Sequence, residues 1–259
     1  MKKILVIFLY LFSFLGVAQY KKKSVVLIDY SYNVTFDDTY YGKVILKCSN
    51  DKSLSKTLAE VIPYDKEMDS NKSTIYGKPM DEFQSIDLAN KKVIMTDRIF
   101  DTKYKVTEDL YQMNWKLSKI GESKMISQFI CNKATLNFRG RNYIAWYTPY
   151  IALPFGPWKF YGLPGLILEV YDVDKNYHWI ATKIVSSSNE DFNLNELESQ
   201  KVKEILSLKE FIEMTEEKEK QFMANIRRSL DRHTTVDFGD FELRKTPELI
   251  YDWEVEKRK

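Results

Sequence analysis

From Ile28 to Phe36 the chain alternates without a break, with Ile28, Tyr30, Tyr32, Val34 and Phe36 on one side and Asp29, Ser31, Asn33 and Thr35 on the other. Successive side chains leave a strand on opposite faces, whereas a helix returns to the same face every 3.6 residues, so this run predicts a strand with one dry and one wet side. The same period returns at Tyr111, Met113, Trp115 and Leu117 against Gln112, Asn114 and Lys116, and at Ala134, Leu136 and Phe138. Shorter strand candidates lie at 43–48 and 93–100. Leu249, Tyr251, Trp253 and Val255 alternate with Ile250, Asp252 and Glu254, which predicts a late strand, and a strand pair around Gly239 fits beside it.

Half-buried strands pair most simply through hairpins, and two are marked. Arg139-Gly140-Arg141-Asn142 has the glycine of a tight reversal, so 134–148 reads as a hairpin. Leu166 to Tyr171 and Tyr177 to Val185 flank the polar turn Asp172-Val173-Asp174-Lys175-Asn176 and form the second. One segment is helical instead. Leu208, Phe211, Ile212, Thr215, Phe222 and Ile226 recur at helical spacing, Ser207 with Glu210 forms a capping box, and Leu206 is placed to staple onto Phe211. Glu216 to Lys220 reads as its solvated face. Residues 50–90 show no sustained period and read as long loops with one short helix. The expected fold class is α+β: a largely antiparallel, curved sheet of about ten strands with one long helix packed on it, in a single domain over 19–259.

The first 18 residues read as a signal peptide. Lys2 and Lys3 precede an apolar run from Ile4 to Val17, too short for a membrane-spanning helix, and Gly16 and Ala18 suit cleavage before Gln19. We therefore expect an exported protein of the periplasm or cell envelope. No cysteine near the junction supports a lipid anchor. Losing Lys2 and Lys3 leaves 37 basic against 37 acidic residues, so no net charge draws this chain to nucleic acid. The two cysteines, Cys48 and Cys131, either bridge in the oxidising compartment or stay as buried thiols on separate strands; spacing does not choose between them.

Residues 146–172 pack four prolines and three glycines among aromatics. Pro154, Gly156 and Pro157 exclude regular structure locally, and Pro164-Gly165 fits the centre of a type II turn, with positive φ at Gly165. Gly162 and Gly165 also permit close backbone approach. Gly162-Leu163-Pro164-Gly165-Leu166-Ile167 is the hexapeptide of the GLPGLI family of exported bacterial proteins, found mainly in the Bacteroidetes, which this chain resembles over about 125–172. Cys131-Asn132-Lys133-Ala134, Phe138-Arg139-Gly140-Arg141, Trp146-Tyr147-Thr148 and Gly156-Pro157-Trp158-Lys159-Phe160 carry the likeness further, while Ala152-Leu153-Pro154 departs from an expected Ile-Pro. The resemblance implies export and an envelope setting, and brings no catalytic residues.

The candidate binding residues are Arg139, Arg141, Trp146, Trp158, Phe160, Gly162, Leu163, Pro164 and Gly165. Trp158, Phe160 and Leu163 form either a docking surface or core, and Arg139 and Arg141 either hold an anionic head group or are solvated hairpin arginines. His178 is expected as a satisfied core residue and His233 as a partner of the helix C-terminus. No CxxC, HExxH, GxSxG or phosphate-binding glycine loop is present, so neither a metal site, a cofactor nor a catalytic set is assigned. The expected function is a non-catalytic binding module for an apolar small molecule or lipid. The alternatives are a docking accessory of an outer-membrane transport system, with an outer-membrane protein as partner, and an unrecognised hydrolase.

Overall fold

The computed structural model describes residues 25–36, 39–60, 81–119, 121–187, 191–229, 244 and 246–256. The expected cleavage before Gln19, the strand pair around Gly239, and His233 lie outside them.

Among the described residues there are thirteen strands, more than the ten expected: β1 (Val25–Thr35), β2 (Thr39–Cys48), β3 (Lys52–Glu60), β4 (Glu82–Asp87), β5 (Lys92–Ile99), β6 (Thr102–Asp109), β7 (Lys116–Leu117), β8 (Ser123–Ile126), β9 (Phe129–Phe138), β10 (Arg141–Thr148), β11 (Leu166–Asp172), β12 (Tyr177–Ser187) and β13 (Ile205–Ser207). They form one sheet in the order β13-β6-β5-β4-β3-β2-β1-β12-β11-β10-β9-β7, with β8 also on β9. Neighbours are antiparallel except β13, which runs parallel to β6. Seven strands separate β6 from β10 in this order, yet Glu108 on β6 lies 3.0 Å from Arg139 in the β9–β10 turn. Accumulated twist has rolled the sheet until its two ends face each other.

The core fills the inside of that roll. Ile28 and Tyr30 from β1, Tyr104 and Val106 from β6, and Phe138 and Tyr143 from the β9–β10 hairpin share one cluster with Leu153, Phe155, Phe160 and Leu163 from the segment before β11. A smaller cluster of Leu54, Phe83 and Leu197 is covered by the short helix α1 (Asn195–Glu198). Helix α2 (Leu208–Ser229) begins at the expected capping box: Ser207 N–H donates to Glu210 Oε2 at 2.8 Å and Glu210 N–H to Ser207 Oγ at 3.3 Å. It buries Leu208 and Phe211 and follows the β13–β6 end of the sheet, Phe211 meeting Tyr104 edge-on at 6.0 Å.

Three expectations are corrected. In 111–117 only Lys116 and Leu117 join the ladder, because this stretch hydrogen-bonds the loop before β11 instead: Tyr161 Oη donates to Tyr111 O and Trp115 Nε1 to Tyr161 O. Burial alternates there without a strand, as the extended chain lays every second side chain on the core. Residues 252–256 form a helical turn, α3 (Asp252–Glu256), rather than a strand, since Leu249 and Ile250 N–H both donate to Arg139 O and Tyr251 N–H is capped by Glu254 Oε2. Residues 50–90 contain β3 and β4, whose period was hidden by buried serines: Ser53, Ser55 and Ser85 sit beside Leu54 and Ile86. Cys48 and Cys131 are both buried and free, and burial pushes the Cys131 thiol up to about 11.

Candidate functional site: a cleft floored by an ion network

The β9–β10 hairpin turns on Arg139 and Gly140, both at positive φ (43° and 87°), with Phe138 paired to Arg141 across a two-residue reversal. A non-glycine residue in this conformation is strained, and its side chain is correspondingly well held. Arg139 donates to Glu108 Oε2 at 3.0 Å, to Glu248 Oε1, and to Asp252 Oδ2 at 3.3 Å, and its guanidinium lies over the rings of Tyr111, Phe138 and Tyr251. Lys159 completes the network, with Nζ 3.0 Å from both oxygens of Glu248 and 2.5 Å from Glu108 Oε1. The side chains of Arg139, Lys159, Glu108 and Glu248 are only 5%, 4%, 7% and 8% exposed, so these charges are compensated by one another and not by water. Burial works against the charged guanidinium of Arg139, but Glu248 and Glu108 outweigh it and hold its pKa above the usual value.

Arg141 makes a second node. Its guanidinium donates to Asp172 Oδ2 at 2.9 Å and to Thr246 O at 2.9 Å, and Tyr143 Oη donates to Pro247 O at 2.7 Å. Both hairpin arginines are therefore buried anchors for residues 246–252, not solvated, because a segment more than a hundred residues downstream folds over the hairpin tip.

The remaining candidate residues lie outside this network, and of them Trp158 and Phe160 are brought together, edge-on at 5.1 Å and both against Trp179. Phe160 and Leu163 are core, Phe160 packing edge-on to Tyr143 at 4.8 Å. Trp158, half-buried at φ 51°, stacks parallel to Trp179 at 6.3 Å. Trp146 lies on the other face of the sheet under Lys124 Nζ, 4.5 Å from the ring centre. Lys124 is paired with Glu169, as is His178 at 2.9 Å, so His178 is a partly exposed partner of a carboxylate and not a core residue. Burial favours neutral Glu169, but His178 and Lys124 outweigh it and draw the carboxyl below its usual range. Gly162 and Pro164 are exposed and Gly165 is buried. The expected type II turn is instead a tighter one about Pro164: Gly165 N–H donates to Leu163 O at 2.8 Å while Leu166 N–H goes to Ile151 O at 3.0 Å.

Above the network opens a cleft of about 500 Å³. Arg139 and Glu108 form its floor; Leu110, Tyr111 and Gln112, the start of α2 at Ser207 to Lys209, and Asp252 and Trp253 form its walls, with Lys92, Thr107 and Asp109 at the edge. Of the nine residues singled out from the sequence, Arg139 alone lines it. Glu108, Lys159, Glu248 and Asp252 went unnoticed, since no local pattern joins four segments so far apart. Among the described residues no group of His, Cys, Asp and Glu is arranged to hold a metal ion, and no helix is long and apolar enough to cross a membrane.

No curated protein matches the sequence. The fold is similar to a solved structure of PNGF-II in space group C2, with 17% identity and a TM-score of 0.51, covering 74% of this chain and 32% of that one. A second structure of PNGF-II, in space group P21, gives 16% identity and a TM-score of 0.48 over 72% of this chain and 32% of that one. This chain thus spans about a third of the length of the structures it matches, and at this identity the likeness concerns the fold alone. Residues 137–169, the stretch from the arginine hairpin through the hexapeptide, match the model of a Bacteroidetes-type family described as "Protein of unknown function (Porph_ging)".

Proposed function

We propose that this chain is a non-catalytic binding module of the cell envelope that takes a small ligand in the cleft above the Arg139–Glu108 floor. One observation carries the reading: a concave site of small-molecule size whose polar floor is already fixed by a buried network, so that little ordering is left for the ligand to drive. The envelope setting rests on the export pattern of residues 1–18. A lipid held inside the roll would need the space that Leu153, Phe155, Phe160 and Leu163 occupy, so the apolar part of a ligand is limited to contacts with Leu110, Tyr111, Leu208 and Trp253. A binding role is favoured over hydrolysis because Glu108 is ion-paired to both Arg139 and Lys159, which suits an anchor better than an acid or base.

Native mass spectrometry of the chain purified from its own envelope tests this. A small-molecule adduct is expected, and Asp252→Asn should weaken its retention. A chain that arrives bare, or bound only to another protein, overturns the reading; the second result would favour the docking accessory.

A further inference from the structure

We infer that the ligand of this cleft is a neutral, polyhydroxylated molecule of the sugar type, an inference that rests on the cleft being the binding site. The charges of its lining come to zero: Lys92, Arg139 and Lys209 stand against Glu108, Asp109 and Asp252. They are also paired, Lys92 with Asp109 at 2.5 Å, Arg139 with Glu108 and Asp252, and Lys209 with Glu213 one helical turn on at 4.0 Å. An anionic or cationic ligand would meet no excess of opposite charge and would have to break a pair to gain one.

What the cleft offers instead is hydrogen-bonding valence of both kinds, closely interleaved. The carboxylates of Asp109 and Asp252 have acceptor sites beyond those their cations fill, Lys209 offers ammonium donors, and Gln112 supplies a donor and an acceptor. A hydroxyl donates once and accepts twice, so a run of neighbouring hydroxyls satisfies such a wall where a carboxylate, an amine or a hydrocarbon satisfies only half of it or none.

The apolar part of the lining fits the same class. Tyr111 and Trp253 both line the cleft, and Trp253 is held rigid by stacking on Tyr251 at 4.7 Å with the rings 3° from parallel. Flat aromatic surface set among polar groups matches a ring that carries C–H bonds on its faces and hydroxyls on its rim. A fatty chain would instead desolvate the charged pairs without replacing their water.

The test is titration of the purified chain, by tryptophan fluorescence and saturation-transfer NMR, with cellobiose, maltose and diacetylchitobiose, alongside a uronic-acid disaccharide and palmitate. At least one neutral sugar should bind, with affinity unchanged between low and high salt, because no net charge is neutralised. Asp252→Asn and Trp253→Leu should each weaken it at least tenfold. Asp252 is half exposed, so the melting midpoint of Asp252→Asn should stay in place and separate lost binding from lost folding. Failure of every neutral sugar, or stronger binding of the uronic acid or palmitate, overturns the inference. An Asp252-sensitive adduct in native mass spectrometry would then leave the binding reading standing with a different ligand, whereas its absence as well would remove both.

Discussion

Replacing Gly165 by alanine separates two ways in which a glycine matters, because the hexapeptide carries an internal control. Gly165 sits at φ 154°, and a Cβ built there would lie 2.2 Å from Thr148 O and 2.9 Å from Pro149 Cα, all backbone atoms with no rotamer to yield. Relief requires the start of β11 to move away from the end of β10 by roughly 1 Å, which strains the Leu166 N–H to Ile151 O bond. Strained φ costs about 1–3 kcal/mol and an impaired buried hydrogen bond about 1–3 kcal/mol more. We therefore expect Gly165→Ala to lose about 3–5 kcal/mol, or roughly 10 °C of melting midpoint for a chain of this size. Gly162, three residues earlier, is also at positive φ (93°) but has no atom of the described residues within 4 Å of the added carbon, so Gly162→Ala should cost only about 1 kcal/mol. Denaturant melts of both variants, run together, read the difference. Equal losses, or a loss below about 1 kcal/mol at Gly165, would refute the view that close backbone approach governs this site.

Lys159→Met should destabilise the fold by about 3–5 kcal/mol, since it leaves Glu108 and Glu248 sharing Arg139 alone in a buried setting; adding Glu248→Gln should recover part of that loss in the same melts. Phe160→Ala should cost about 3–5 kcal/mol as a fully buried aromatic, whereas half-buried Trp158 should cost less, and equal values would contradict their different burial. Burial raises the Asp87 carboxyl, but the Lys52 ammonium and the Asn90 amides outweigh it and bring it to about 2. Because the folded value is depressed, its stabilisation is complete above about pH 4 and is lost as pH falls toward 2. Melting midpoints of the wild type and Asp87→Asn should accordingly converge over that interval, and parallel curves would exclude the pairing as the cause.

Where the sequence carried its own instructions within ten or twenty residues, the elements were legible. The alternation of β1, the hairpins on Arg139-Gly140 and Asp172–Asn176, and the Ser207–Glu210 box all depend on near neighbours. Three kinds of signal misled. Alternation at Tyr111–Leu117 reports which side of an extended chain is dry, and a chain lying on a core shows it without a ladder partner. Serines in β3 and β4 fill buried positions that a hydrophobic count leaves blank. The late alternation at Leu249–Val255 was real as burial of Tyr251, but Arg139 O claims the two amides that a strand would have needed. The site was harder still. Arg139 was visible because it stands in a turn, yet its carboxylates come from β6 and from residues 248 and 252, which nothing in the local pattern ties to it.

That long reach has a consequence for how the chain emerges. Glu248 follows Arg139 by 109 residues and Lys159 by 89. Until it arrives, the hairpin guanidinium and the neighbouring ammonium share the single carboxylate of Glu108, and sealing them away from water is costly. The roll is thus disfavoured from closing on a partial chain. A chain made from its first residue onward therefore completes the contact that closes the roll only once Glu248 has followed, 109 residues behind the hairpin it pairs with.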